Sequence, residues 1–493
     1  MYIGIDLGTS GVKAVLMDDD QALLGEASSQ HIEVQRPRRS WSEQNPDRWW
    51  EEVSGTLDRL AAAHPKEMGA VTGIGLSGQM YSATVLDETD TPLRPAMLWS
   101  DTRSSEECRI LEEREPALLD YVGRRPTPFT TAPKLIWLER HEPDVFKRIR
   151  TVLLPKDYVR LQLTGEKVSD IADSSGTFWV DIAQRSWSDR LLEICKLDQR
   201  QMPRLVEGTE VSGHIRPALL KRWGMTGTVV VAGGGGDNQC GACGSGIIQP
   251  GSGTVSLGTS AVLFVAMDRA GRCEDYAIET MCHSVPGVWH AMAVILSAAS
   301  CLNWLAKLLK RPAADLVKDL GDQPRSASPL LFLPFFDGCW SPMEDTDVRG
   351  AFVGLNHGTD DAALTHAVLQ GVAFALAGAA VAFKESGATF DELLGIGGGS
   401  RSMVWLSLVA DSLGVPLAIP DSSALGAAFG AARLGMIAAT GASPRAVLTR
   451  PRTVMRIEPD PSRGAAYGDA FAQWQALYKP ALAASAGLKH LSA

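Results

Sequence analysis

The sequence predicts an α/β protein of two similar domains. Three observations carry that reading: a length beyond one core, a repeat spaced by half the chain, and strands that alternate with helices. At 493 residues the chain exceeds the roughly 250 to 300 residues at which a single hydrophobic core stops growing. The repeat is explicit. Leu7-Gly8-Thr9-Ser10 leads into an apolar run from Val12, and Leu257-Gly258-Thr259-Ser260 leads into another from Val262. A β-type segment precedes each, Tyr2 to Asp6 and Gly253 to Ser256, so each reads as a hairpin closed by a glycine turn. Matched flanks at half-chain spacing point to duplication, with domains at 1–246 and 247–493.

The remaining elements follow in order. Asn45-Pro46-Asp47 is a helix start, with a capping Asn and Pro at the first helical position, running to about Ala63. Val71 to Leu76 reads as a buried strand and Ser77 to Tyr81 as the loop after it. Thr228 to Ala232 is a strand, and Gly233-Gly234-Gly235-Gly236-Asp237-Asn238 joins it to a helix of small residues. In the second half, Asp361 to Phe383 reads as a long helix, Leu393 to Ile396 as a strand and Met403 to Leu413 as a helix. A second glycine cluster, Gly395-Ile396-Gly397-Gly398-Gly399-Ser400, lies at that strand–helix junction. The Ala/Gly-rich helix from Leu425 through Gly435 suits either plain helix packing or close contact with something flat or with another backbone.

Composition narrows the class. With 45% hydrophobic and 21% charged residues the chain is that of a globular protein. A formal charge of −10 and a pI near 5.5 argue against nucleic acid, which demands a basic surface. The first residues carry no basic, apolar leader, and the apolar stretch Ala424 to Ala439 is too short to span a bilayer and contains Arg433. The expectation is a cytoplasmic protein without a membrane partner. The eight cysteines read as buried small hydrophobes. Even Cys240 and Cys243 lack a second ligand pair at metal-site spacing.

The chemistry should lie at the glycine turns. Two facing Gly-Thr-Ser turns would clamp a phosphate chain with backbone N–H groups and hydroxyls, without a large basic field. The halves are not equivalent: the first has Asp6 and Lys13 where the second has Ser256 and Leu263. Asp6 is therefore the candidate to hold Mg²⁺ and Lys13 to meet phosphate. Asp237 is the first carboxylate after four glycines at the end of a strand, where open α/β sheets bind ligands. It reads as a general base or as the cap of the next helix. The cluster 395–400 lacks a Walker order and the acidic partner of a dinucleotide fold. It suits a backbone shelf for adenosine.

These residues resemble a known family. The opening Met1 to Lys13, Trp41-Ser42-Glu43-Gln44, Leu153-Leu154-Pro155-Lys156-Asp157-Tyr158, Gly236-Asp237-Asn238, Ser256 to Ser260, Leu296-Ser297-Ala298-Ala299-Ser300 and Gly426 to Leu434 look like the FGGY carbohydrate kinases, closest to their xylulokinase branch. The resemblance implies two actin-like (ribonuclease H-like) ATPase domains with an interdomain cleft. It implies phosphorylation of a ketopentose such as D-xylulose at its 5-hydroxyl by ATP and Mg²⁺, with Asp237 as base. Sugar contacts would come from Met80, Tyr81, Asp237 and Asn238. Nucleotide contacts would come from Gly8, Thr9, Ser10 and Lys13 on one side and Gly258, Thr259, Gly398 and Gly399 on the other. Two departures bear on the sugar: Tyr81 stands where that branch carries His after Gln-Met, and Asp337-Gly338-Cys339-Trp340-Ser341-Pro342 replaces its Gly-Glu-Arg-Thr-Pro. The glycerol kinase pattern Gln-Arg-Glu-Thr is absent at Gln79 to Ser82. Alternatives are a kinase for another ketose, deoxy-ketose or polyol, and an actin- or chaperone-like ATPase acting on a protein partner. The sequence leaves a homodimer open.

Overall fold

The structure, a computed structural model, describes residues 1–274, 278–323, 325–341, 343, 345, 347–421 and 426–488. Pro342 of the departing loop, and Ala424 and Leu425 ahead of the Ala/Gly-rich helix, lie outside the described residues.

The two hairpins form at the expected places. Tyr2–Leu7 pairs antiparallel with Val12–Met17, and Ser252–Leu257 with Ala261–Met267. The turns differ by one residue: Gly8 N–H closes on Gly11 O at 2.9 Å, Gly258 N–H on Ser260 O at 2.9 Å. Each hairpin nucleates a mixed sheet of one topology. In the first the order is Val211–His214, Val230–Ala232, Gly73–Gly78, Tyr2–Leu7, Val12–Met17, Leu23–Ser29. In the second it is Thr453–Ile457, Leu417–Pro420, Glu392–Ile396, Ser252–Leu257, Ala261–Met267, Trp289–Ile295, Glu279–Cys282. In both, the first hairpin strand runs parallel to its neighbour from later in its half, and an antiparallel strand closes that side. The duplication is thus topological as well as sequential.

Helix Pro46–Ala63 is capped by Asn45, whose side chain accepts from Asp47 N–H at 3.0 Å. The strand expected at 71–76 spans Gly73–Gly78 instead, because Asp6 and Leu7 continue the parallel ladder to Ser77 and Gly78. The strand expected from Thr228 begins at Val230. Helix Asp361–Ser386 is apolar and long enough to cross a membrane, yet 89% of its most apolar window is buried inside the protein. It is the central helix of the second core.

Helix Ala427–Thr440 comes from the second half but lies on the first sheet. A Cβ on Gly4 or Gly75 would stand 1.8 Å from Ala428 O or Ala431 O, and one on Gly430 would stand 1.7 Å from Cys240 O. Backbone therefore meets backbone, which only glycine permits, and close contact with another backbone is what this helix makes. Arg433 in its middle donates to Cys243 O, Gly244 O and Thr449 O at 3.1 to 3.2 Å. On the opposite side the halves are tied by Cys282 N–H to Ser175 Oγ (3.1 Å) and Trp289 Nε1–H to Ile182 O (2.7 Å). A cleft remains between the two ties.

Candidate active site

The loop that carries Asp237 is built from its neighbours. Gly234 has φ +78°, and a Cβ there would strike Leu76 O at 2.0 Å. Gly235 and Gly236 then pair with Ser77 and Gly78. The buried guanidinium of Arg160 binds Ser212 Oγ and donates to Ala232 O at 2.6 Å and Gly233 O at 2.5 Å. Ala232 O also accepts from Ser212 Oγ at 3.1 Å, so the carbonyls at the end of the strand are satisfied where it gives way to the glycine loop. Asp237 thus begins helix Asp237–Gly244 but does not cap it: Gly236 occupies the cap position. Asp237 Oδ1 accepts from Asn238 N–H (2.8 Å) and Asn238 Nδ2 (2.9 Å). Burial first, then the charge of Asp6 and, more weakly, of Glu279, push the Asp237 carboxyl up to about 7.

The first turn sits beside it. Asp6 accepts from Ser77 Oγ at 2.8 Å, and burial raises its carboxyl above the usual range. Lys13 lies on the rim, where its ammonium pairs with Glu26 at 2.9 Å in a solvent-exposed bridge. Ser10 is exposed. The Thr9 hydroxyl donates to Gln79 Oε1 at 3.2 Å and accepts from Trp99 Nε1–H at 2.9 Å. In this state the proton expected to meet phosphate is held by a protein amide.

Between the halves lies a cavity of ≈ 230 Å³. Gln79, Asp237, Asn238 and Ser260 supply its polar groups, and Met80, Tyr81, Trp99, Val262, Met292, Val294 and Trp340 its apolar wall. All four expected sugar-contact residues line it. Tyr81 differs from expectation in one respect: its hydroxyl is bound to the buried carboxylate of Glu279, across the domain boundary, with Met281 Sδ at 3.3 Å. Arg124 stands 3.5 Å from Glu279 and over the Tyr81 ring. Tyr81 holds φ +63°, a left-handed conformation that costs energy for a bulky residue. Its hydroxyl is engaged by Glu279 while the residue lines the cavity. Trp340, in the departing loop, stacks on Phe129 with centroids 4.4 Å apart and faces Trp99 at 6.4 Å.

The second turn meets the second glycine cluster. Thr259 O accepts from Ala298 N–H and Gly258 O from Ala299 N–H, at 2.9 and 3.0 Å, so the turn is fixed to the start of helix Ala299–Leu309. Gly397, at φ +89°, passes within Cβ-clash distance of Leu257 backbone. Gly398 and Gly399 then open onto a cleft of ≈ 430 Å³ lined by Ala299, Leu302, Ala313, Val317 and Met403. Lys318, Asp322 and Arg401 stand in its lining too, so the cleft joins an apolar wall to charged groups. The thiols of Cys240 and Cys243 are buried and pushed up, that of Cys243 to about 12, mainly by burial, so neither is a thiolate.

Sequence reasoning passed over Trp99, Glu279 and Arg160. Glu279 carried a signal, a carboxylate opening the short strand Glu279-Thr280-Met281-Cys282, which is buried throughout, since such residues are almost never fully buried unless paired. Its partner, 198 residues away, carried none.

Comparison with known proteins agrees with this architecture. Residues 1–244 match the N-terminal domain of the FGGY family of carbohydrate kinases and residues 253–439 its C-terminal domain. The chain is 41% identical to a xylulose kinase of Escherichia coli over 98% of its own length and 99% of that protein's. It is 42% identical to one of Klebsiella pneumoniae over 95% and 96%. The crystal structure of a Brucella ovis protein described as a xyloylose kinase superposes with a TM-score of 0.94 at 48% identity, covering 98% of this chain and 99% of that one. Two duplicated mixed sheets, a carboxylate-bearing cavity between them and full-length similarity to sugar kinases of the actin-like ATPase fold converge: this chain belongs to the FGGY family of carbohydrate kinases.

Proposed function

We propose that the protein is a xylulose kinase, transferring the γ-phosphoryl group of ATP to the 5-hydroxyl of D-xylulose. The observation that carries this reading is the cavity between the halves, sized for a small sugar and walled by Asp237, a carboxylate whose affinity for protons suits a general base near neutral pH. The similarity to xylulose kinases over nearly the whole chain supports the sugar.

The steps follow from the residues. Asn238 holds Oδ1 of Asp237, which leaves Oδ2 to accept the sugar O–H. As the sugar oxygen attacks the γ-phosphorus and the bond to the ADP oxygen breaks, the hydroxyl proton passes to Asp237. The turns at Gly8 and Gly258 meet the phosphates with backbone N–H groups, and the slot beside Gly398 and Gly399 takes the base. The charge of Asp6 raises the proton affinity of Asp237, the charge of Lys13 lowers that of Asp6, and among the described residues no cation forms a salt bridge with either. Such a pair suits a divalent cation, so Asp6 would hold Mg²⁺. The ion would neutralise charge on the phosphates.

Coupled measurement of ADP release over a panel of ketoses and polyols tests the reading. D-Xylulose should raise turnover most; a rate that no sugar raises would favour a partner-binding ATPase. The ring of Tyr81 and the indole of Trp340 favour one second reading, a ketose lacking a hydroxyl at its apolar end, so a deoxy-ketopentose belongs in the panel.

Two expected results concern these residues. Asp237 works as a base only when deprotonated, so kcat/KM for the sugar should climb about tenfold per pH unit below about 7 and level off above it. A flat profile between about pH 5.5 and 8 would exclude it as the titrating base. Tyr81→Phe should cost about 1 to 3 kcal/mol of stability, because the buried Glu279 carboxylate loses its O–H donor. An unchanged denaturation midpoint would mean that the bond contributes nothing.

A further inference from the structure

We infer that Trp99 is a positioning residue for the first phosphate turn, holding the Thr9 hydroxyl on Gln79 until a sugar fills the cavity. The inference rests on the kinase reading above.

Two indoles fix the direction of every hydrogen bond in the network. An indole N–H can only donate. Trp49 Nε1–H donates to Gln44 at 2.9 Å, so the atom it meets is Gln44 Oε1. Gln44 Nε2 must then face the other way, where it donates to Thr9 O at 2.6 Å. Gln44 Oε1 also accepts from Gln79 Nε2 at 3.0 Å, which turns Gln79 Oε1 toward Thr9. Trp99 Nε1–H donates to Thr9 Oγ1 at 2.9 Å. The one proton of the Thr9 hydroxyl therefore goes to Gln79 Oε1, at 3.2 Å.

Its consequence is chemical. A hydroxyl whose proton is taken cannot donate to a phosphate oxygen, so the turn is incomplete in the absence of sugar. Gln79 and Trp99 both line the sugar cavity while Thr9 lies in the turn, so the two halves of the reaction share this one network. A sugar hydroxyl that donates to Gln79 Oε1 displaces the Thr9 proton and frees it for the γ-phosphate. Phosphate binding is thus completed by the acceptor itself, which limits transfer to water when no acceptor is present.

The test compares ADP release without sugar and with saturating D-xylulose, in the full chain. Trp99→Phe keeps the ring and loses the N–H; Gln79→Met keeps the length and loses the acceptor. Each should raise the sugar-independent share of turnover about three- to tenfold, the scale of one hydrogen bond. A merely structural role would lower both rates together and leave the share unchanged, and that result would overturn the inference. A second measurement needs no variant: a ketopentose lacking the terminal hydroxyl fills the cavity without accepting phosphate. It should raise ADP release by the wild-type protein, and no rise would overturn the inference. If no ketose stimulates the wild type at all, the kinase reading itself falls.

Discussion

Asp237→Asn is expected to lower kcat for sugar phosphorylation by about 10² to 10⁴ while the protein still folds and binds ATP. The substitution is isosteric, and Asn keeps a carbonyl oxygen that can accept from Asn238 N–H and Nδ2 as Oδ1 does now. The glycine loop is held by Arg160 at Ala232 and Gly233, upstream of the change, so its path should persist. What is lost is a destination for the hydroxyl proton. One charge near Asp6 is lost too, since the Asp6 charge acts on Asp237 through space. If charge repulsion were the main effect at this site, phosphate affinity would rise with little change in kcat. Titration with an ATP analogue alongside single-turnover kinetics separates the outcomes. A variant that retained most of its kcat at saturating sugar would remove Asp237 as base and turn attention to Asp6.

The sequence made some of this architecture legible and concealed the rest for physical reasons. Hairpins, turns and the helix from Pro46 are local, set by glycine turns and by a cap two residues from the N–H that donates to it. The family's motifs carried Asp237, Asn238 and Met80 to one cavity. What remained hidden is everything set by pairs far apart in the chain. Tyr81 was legible as a change of side chain, but the destination of its hydroxyl depends on Glu279 in the other half. Thr9 was legible as a turn residue, but its proton depends on Trp99 and Gln79, 90 and 70 residues away. The strand ending at Gly78 outran its expected bound because the parallel partner, and not local propensity, sets its length.

The same dependence on distant partners makes Lys156→Met the substitution with the largest expected cost in stability. Lys156 is 1% exposed and lies 3.0, 2.6 and 3.0 Å from carboxylate oxygens of Asp157, Asp170 and Asp173, all fully buried. Burial opposes the ammonium, but the three carboxylates outweigh it and hold it protonated far above neutral pH. Three acids face two cations, Arg160 being the second at 3.6 Å from Asp157. Burial therefore pushes Asp173 up to about 8 despite the pull of Lys156. Methionine would fill the volume and leave a guanidinium to balance three carboxyls. Breaking a buried ion pair in this way costs about 3 to 5 kcal/mol. The loss should depend on pH, with a definite sign. Without the ammonium, whose pull lowers it, the folded-state affinity of Asp173 for a proton rises further above its unfolded value of about 3.9. The folded variant then binds more protons than the unfolded chain, so its stability is greatest at low pH and falls as pH rises through the raised value of Asp173. Urea unfolding at about pH 5, 7 and 9 should show the gap to wild type widening at each step. Adding Asp170→Asn and Asp173→Asn to Lys156→Met should recover much of it, since neutral amides need no counter-charge. A gap under about 1 kcal/mol, or one equal at all three pH values, would mean that water reaches the cluster, and the tie between helix Pro155–Thr164 and the base loop would rest on Arg160 alone.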